Sequence, residues 1–376
     1  MTDLSKVPSP CYVLEESLLR RNLAIIRDVA DRSGAEIILA LKANAMWSVF
    51  PIIREYVGGA TASSLAEARL VREELGTSSH TYAPVYTDRE IEPILDLSSH
   101  ITFNSLAQFG RFGAMALLRG ISCGLRVNPG YSPVETALYN PAGEGSRLGI
   151  PSEKLPSLPA GVEGLHFHVL CESGADDLAD VLAAFEGRFG HLLPHLKWVN
   201  MGGGHLMTRE GYDRERLIGI IRDFRSRHPH LRVVLEPGSA FTWQTGVLVA
   251  TVEDVVDNGG VNTIMADVSF ACHMPDCLEM PYKPAVRGAH DPAEGERRWR
   301  IGGNSCLAGD FVGDWAFDAE PKVGDRIVFE DMIHYTMVKT TMFNGVSHPS
   351  IAIARPDGTL DVVRRFGYED YKGRMS

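Results

Sequence analysis

The chain has no apolar run approaching the length of a membrane span, and its first residues, Met1-Thr-Asp-Leu-Ser-Lys6, lack the apolar core of a signal peptide. Cysteine is scarce: six in 376 residues, at no regular spacing. That argues against a disulfide framework and for free thiols in a reducing compartment, so the expected location is the cytoplasm. Basic charge is also short. The 37 Lys and Arg against 48 Asp and Glu leave a formal net charge of −11, which speaks against nucleic acid and is compatible with a cationic small molecule. Low-complexity tracts are missing as well. What remains is an ordinary soluble composition, 44% hydrophobic and 23% charged, in a chain long enough for one large domain and a smaller one.

Apolar strand-like runs alternate with helical periodicity along the first two-thirds. Candidate strands are 36–41, 59–63, 80–85, 100–103, 121–127, 164–169, 197–201 and 231–235. Helical segments such as 65–75, 105–118, 175–189 and 210–228 lie between them. Eight such units predict an α/β fold with an eight-stranded TIM-type (β/α)8 barrel. The stretch 128–159, with six prolines and four glycines, reads as a long loop on one rim. Beyond about Phe241 the pattern turns to β character without good helical runs. The expected division is a barrel over 15–245 and an all-β domain made of 1–14 and 246–376.

Chemistry-bearing residues cluster at strand ends. The apolar run Ile37–Leu41 stops on Lys42, where desolvation favours a neutral, nucleophilic amine suited to a Schiff base; a water-facing lysine is the plainer alternative. Strand six places His166 and His168 on one face. They could stack on a planar cofactor, ligate a metal, or be hydrogen-bonded interior histidines. Cys272-His-Met-Pro-Asp-Cys277 is the nearest partner set for zinc, and its spacing fits no ligand pattern, so no metal is expected. Strand seven ends in Gly202-Gly-Gly204, a candidate phosphate turn or a plain tight turn. Strand eight ends on Glu236, costly to bury unpaired and able to hold a pyridinium nitrogen or a structural ion pair. An amine, a stacking ring, a phosphate cradle and a pyridinium partner on one rim are together what pyridoxal phosphate requires.

Ala40-Leu-Lys-Ala-Asn44, His166-Phe-His-Val169, Gly202–Gly204 and Glu236-Pro-Gly238 resemble the barrel motifs of the fold-type III pyridoxal-phosphate decarboxylases. That family includes the ornithine and diaminopimelate enzymes. Longer segments, His166-Phe-His-Val-Leu-Cys-Glu172, Ala271–Tyr282 and Gly303–Asp310, resemble its branch acting on carboxylated triamines. The resemblance implies a homodimer with shared active sites and decarboxylation of carboxynorspermidine or carboxyspermidine. By position, Lys42 resembles the cofactor-linked lysine and His168 the stacking residue. The glycines and Tyr335 resemble phosphate-binding residues, Cys306 the thiol that returns a proton, and Asp267 and Asp310 acidic residues holding the substrate's distal amines. Asp276 and Glu279 are expected to join them, since a hydrated polyamine needs charge-assisted hydrogen bonds to replace its water. Two departures stand out. Ser239 replaces the arginine usual after Glu-Pro-Gly, and Val169-Leu-Cys-Glu-Ser173 differs from the usual serine-bearing phosphate loop. A racemase, a cofactor carrier and a metal-dependent hydrolase using His166 and His168 are the competing readings.

Overall fold

The computed structural model describes residues 3–376. Contacts divide the chain into one unit spanning Asn22–Phe241 and a second made of the chain up to Arg21 together with Thr242–Ser376.

The first unit is the barrel. Its strands are Glu36–Ile37 continued as Leu39–Ala40, then Ala60–Ala62, Ser79–Tyr82, Ser98–Phe103, Ser122–Asn128, Val162–His166, Trp198–Asn200 and Arg232–Leu235. Each pairs in parallel with the next. The first strand closes the ring. Glu36 and Ile37 pair with Val234 and Leu235 on one side, Leu39 and Ala40 with Ala60 and Thr61 on the other. Between them, Ile38 donates its N–H to the Leu235 carbonyl at 3.0 Å. Strands covered on both faces must be apolar throughout, and Ile37 to Leu41 are all at most 3% exposed. Each such Leu or Ile contributes about 1.5–3 kcal/mol of burial.

Local chemistry starts the surrounding helices. Ser64 Oγ accepts from Glu67 N ahead of Leu65–Leu70, Ser105 Oγ from Gln108 N ahead of Leu106–Leu118, and Asp213 Oδ1 from Arg216 N ahead of Arg214–Arg227. Helix Ala175–Phe189 opens with Asp177 Oδ2 accepting from Gly174 N at 2.6 Å. The stretch 128–159 carries only two short 3-10 turns and the pair Ile150–Pro151 against Val127–Asn128.

The second unit is built on a nine-stranded mixed sheet. The N-terminal strand Cys11–Glu15 lies antiparallel to Gly246–Asn258 and parallel to Ser350–Ala354. Its apolar core includes Val7, Cys11, Val13, Val247, Val249, Val328, Ala352 and Ala354. The helix that follows the N-terminal strand begins in this unit, because Glu16 accepts hydrogen bonds from both Arg20 and Arg355. Three short helices, Phe270–His273, Pro275–Glu279 and Tyr368–Gly373, occur where the sequence pattern shows no helical run. At four to six residues they are too short for an apolar periodicity to register.

Candidate active site

The carboxyl ends of strands one, six, seven and eight bring Lys42, His168, Gly202–Gly204 and Glu236 into one hydrogen-bonded set. Lys42 stands in the turn directly after Ala40. Its Nζ lies 3.2 Å from His168 Nε2. Gly203 N–H donates to His168 Nδ1 at 2.8 Å, so the ring hydrogen of the neutral imidazole sits on Nε2. That hydrogen can be given only to the lone pair of an uncharged amine. The electrostatics agree: surrounding protein lowers the Lys42 pKa from its ordinary value, Arg126 adds to the lowering and Glu236 opposes it. Part of the Lys42 side chain remains open to solvent, so its desolvation is incomplete. Burial holds His168 well below the usual imidazole range, with Lys42 and Arg126 adding to the effect.

Glu236 is the second pole. Asn200 Nδ2 donates to its Oε1 at 2.6 Å, and His166 Nε2 lies 3.6 Å from its Oε2, beyond hydrogen-bonding reach. Burial raises the Glu236 pKa, while Asn200, Lys42 and Arg126 pull it back. The same Asn200 accepts the Gly202 N–H at 2.9 Å. One side chain thus ties the glycine turn to the carboxylate.

The glycine turn, expected to cradle a phosphate, is held partly from within. Two of the three amides are committed inside the chain, Gly202 to Asn200 and Gly203 to His168. What the turn requires is absence of side chains. A Cβ at Gly202 would overlap the Phe167 carbonyl, one at Gly203 the Glu236 carbonyl and one at Gly204 the Leu170 carbonyl. Gly202 and Gly204 also hold φ of +69° and +92°. Ser173 N–H reaches the Gly204 carbonyl at 2.9 Å, which fastens the segment after His168 to the turn. Ser239 begins the short helix Ser239–Thr242.

Sequence reasoning did not single out Asn200 or Arg126. Arg126 is 4% exposed, donates to the His168 carbonyl at 3.0 Å and lies 4.7 Å from the Tyr82 ring centroid. A charged residue within the apolar strand Ser122–Asn128 was the available signal. His166 is 2% exposed, with neither ring nitrogen hydrogen-bonded, and burial drives its pKa well down. Among the described residues no group of three His, Cys, Asp or Glu could hold a metal ion.

The other expected site residues belong to the sheet unit. Cys306 is exposed, and its N–H donates to Asn344 Oδ1 at 2.8 Å. Asp276 Oδ2 accepts from Tyr282 OH at 3.1 Å and Thr336 Oγ1 at 3.0 Å, while its Oδ1 is enclosed without a partner. Glu279 is ion-paired with Lys339. Asp267 Oδ1 accepts the Thr251 N–H at 2.7 Å. Asp310 is 4% exposed and bonded through both carboxylate oxygens. Tyr335 follows in sequence at φ +46°, next to Thr336. Thr341 N–H to the Cys272 carbonyl and Cys306 N–H to Asn344 draw the loops 267–282, 303–310 and 331–346 into one cluster.

Comparison with known proteins decides the family. The model for "Pyridoxal-dependent decarboxylase, C-terminal sheet domain" matches residues 11–333. The chain belongs to the pyridoxal-dependent decarboxylases. It is 52% identical over 373 residues to the carboxyaminopropylagmatine decarboxylase of Synechocystis, covering 99% of this chain and 96% of that one. It is 43% identical to the carboxynorspermidine/carboxyspermidine decarboxylase of Campylobacter jejuni, covering 98% and 99%. The crystal structure of carboxynorspermidine decarboxylase complexed with norspermidine, from the same organism, superposes with a TM-score of 0.91 over 98% of this chain and 100% of that one, at 42% identity.

The decarboxylase's own residues fit the cofactor. Lys42 offers an amine of lowered pKa for an aldehyde, and Glu236 is a carboxylate set among the barrel strands, with Asn200 and Thr61 donating to it. A protonated ring nitrogen would pair with that carboxylate and offset the desolvation that raises the Glu236 pKa. Family membership also sets aside the metal-hydrolase reading of His166 and His168.

Proposed function

We propose that this decarboxylase removes the α-carboxylate of carboxynorspermidine or carboxyspermidine, giving norspermidine or spermidine in polyamine biosynthesis. The observation that carries the reading is full-length likeness to an enzyme of that specificity, at 43% identity, joined to a barrel site whose lysine has a lowered pKa and lies 3.2 Å from His168. Bound pyridoxal phosphate supplies the electron sink for the pair released when the carbon–carboxylate bond breaks. Lys42 would hold the aldehyde, Glu236 would keep a proton on the ring nitrogen, and His168 would serve as the ring's stacking partner. The glycine turn and Tyr335 would receive the phosphate. Cys306 returns a proton to the α-carbon. Asp276 is best equipped of the acidic residues to take a distal ammonium, because its enclosed Oδ1 has no donor while Tyr282 and Thr336 fix its other oxygen. The working form proposed is a cytoplasmic homodimer with Cys306 contributed across the subunit interface.

A second reading has its own observation. The Synechocystis relative, at 52% identity, carries a name that specifies a guanidino-tailed substrate, carboxyaminopropylagmatine. The three compounds share the reacting head and differ in the tail. Competition among them, read as the ratio of kcat/KM, separates the readings. A carboxytriamine preferred over carboxyaminopropylagmatine supports the first; the reverse order transfers the assignment to the second.

A further inference from the structure

Cys306 sits at the tip of a hairpin whose shape is set by a neighbouring carboxylate. Asp310 Oδ1 accepts the Ala271 N–H at 2.9 Å, and its Oδ2 accepts from Ser305 N–H at 3.2 Å and Ser305 Oγ at 2.6 Å. Its own backbone closes the loop, with Gly303 N–H donating to the Asp310 carbonyl at 2.8 Å and Asp310 N–H to the Leu307 carbonyl at 3.0 Å. A Cβ at Gly303 would overlap the Asp310 carboxylate, so glycine is what lets the acid sit inside the turn. On the other side of the tip, Asn344, held at φ +59°, accepts the Cys306 N–H.

We infer that Asp310 is a positioning residue for the Cys306 thiol, not a holder of substrate amines. The inference rests on the proposed role of Cys306 as proton donor. An acid that is 4% exposed and already takes three donors has little capacity left for an ammonium. It has ample capacity to fix a loop. Through Ala271 it ties the Cys306 hairpin to the helix Phe270–His273, directly ahead of Pro275–Glu279, which carries Asp276. The carboxylate therefore couples the thiol to the segment that meets the substrate's tail.

The test uses the holoenzyme and its Asp310→Asn and Ser305→Ala variants. An asparagine has one acceptor oxygen where three donors converge, so at least one donor loses its partner. The expected result is kcat lowered by roughly tenfold or more at a KM changed by less than about twofold, since small misplacements of a reacting group cost about that much or more. Iodoacetamide labelling followed by peptide mass mapping should show Cys306 reacting several-fold faster. Cys171, the other exposed thiol, should keep its rate as the internal reference. Ser305→Ala keeps the carboxylate but removes one of its donors, and should move the same readouts in the same direction by less. It decides the matter if Asp310→Asn does not fold. A KM raised tenfold or more at unchanged kcat and unchanged Cys306 labelling overturns the inference and makes Asp310 an amine holder. If Cys306→Ala keeps full kcat while Asp310→Asn still speeds labelling, the thiol's chemical role falls and the loop assignment stands.

Discussion

Lys42 Nζ and His168 Nε2 lie 3.2 Å apart, and the hydrogen between them belongs to the histidine. The Gly203 amide fixes the imidazole tautomer from behind, so the ring presents a donor to the amine and stabilises its uncharged form. The pH midpoint for aldehyde capture by the cofactor-free protein should lie on the acid side of the ordinary lysine value, following the lowered Lys42 pKa. Lysine groups lose their proton as pH rises, so a lowered pKa means reactive amine at lower pH. A midpoint at or above the free-lysine value would refute this. Lys42→Ala should cost on the order of 10³-fold or more in turnover and leave no pyridoxyl-labelled peptide after borohydride reduction.

Asn200 joins the other two components, donating to Glu236 Oε1 and accepting from Gly202 N–H. Glu236→Gln keeps the shape but removes the charge that favours a protonated ring nitrogen, and kcat should fall by about 10²-fold. Asn200→Ala leaves the carboxylate and the Gly202 amide without their partner, a loss of about 1–3 kcal/mol per stranded buried group. It should therefore weaken cofactor retention as well as kcat. Spectroscopic titration of cofactor release checks both, and retention equal to wild type would remove Asn200 from the site.

Gly203→Ala should load cofactor poorly, because its Cβ would overlap the Glu236 carbonyl and crowd the His168 ring. Overpacking of this kind costs about 1–3 kcal/mol, and here the strain falls on the residues that face the ring. The nearest atom to the new Cβ is a backbone carbonyl oxygen, which cannot swing aside as a flexible side chain would. Binding of pyridoxal phosphate to Gly203→Ala with wild-type affinity would contradict that geometry.

Much of this site was legible before the structure because its parts sit at strand ends, where local pattern speaks. Ile37–Leu41 followed by Lys42, and His166 alternating with Phe167 and His168, need only the period of a strand. The helix Ala175–Phe189 was expected at both of its boundaries, since a polar cap and an apolar stripe are local properties. What pattern cannot show is who bonds to whom across the chain. Asn200 meets Glu236 at a separation of 36 residues and Arg126 meets the His168 carbonyl at 42. In the glycine turn two amides are taken by side chains, Gly202 by Asn200 of its own strand and Gly203 by His168 after strand six, and only the second is a long-range contact. Asp310 illustrates the same limit. Its charge suggested a cationic ligand, while the donors that its burial brings to it, Ser305 in its own loop and Ala271 across 39 residues, are not recorded in the sequence pattern.

Acid should destabilise the fold through histidines that the chemistry does not use. His273 is fully buried, accepts the Ser269 N–H on Nδ1 at 3.1 Å and gives its Nε2 hydrogen to the Ser347 carbonyl at 3.0 Å. That arrangement is complete for a neutral ring, and burial lowers its pKa to about 4; burial does the same for His205, also to about 4. In the unfolded chain both titrate near the ordinary value of about 6.5. The unfolded state therefore binds the proton first, and stability that is fully present above about pH 6.5 is lost as pH falls toward 4, by up to about 1.4 kcal/mol per pH unit for each ring. Calorimetric Tm measured from pH 7.5 down to pH 5 should fall, and His273→Gln should flatten the fall by removing one of the rings that take up a proton on unfolding. A Tm independent of pH across that window would mean these rings are not held neutral in the folded state.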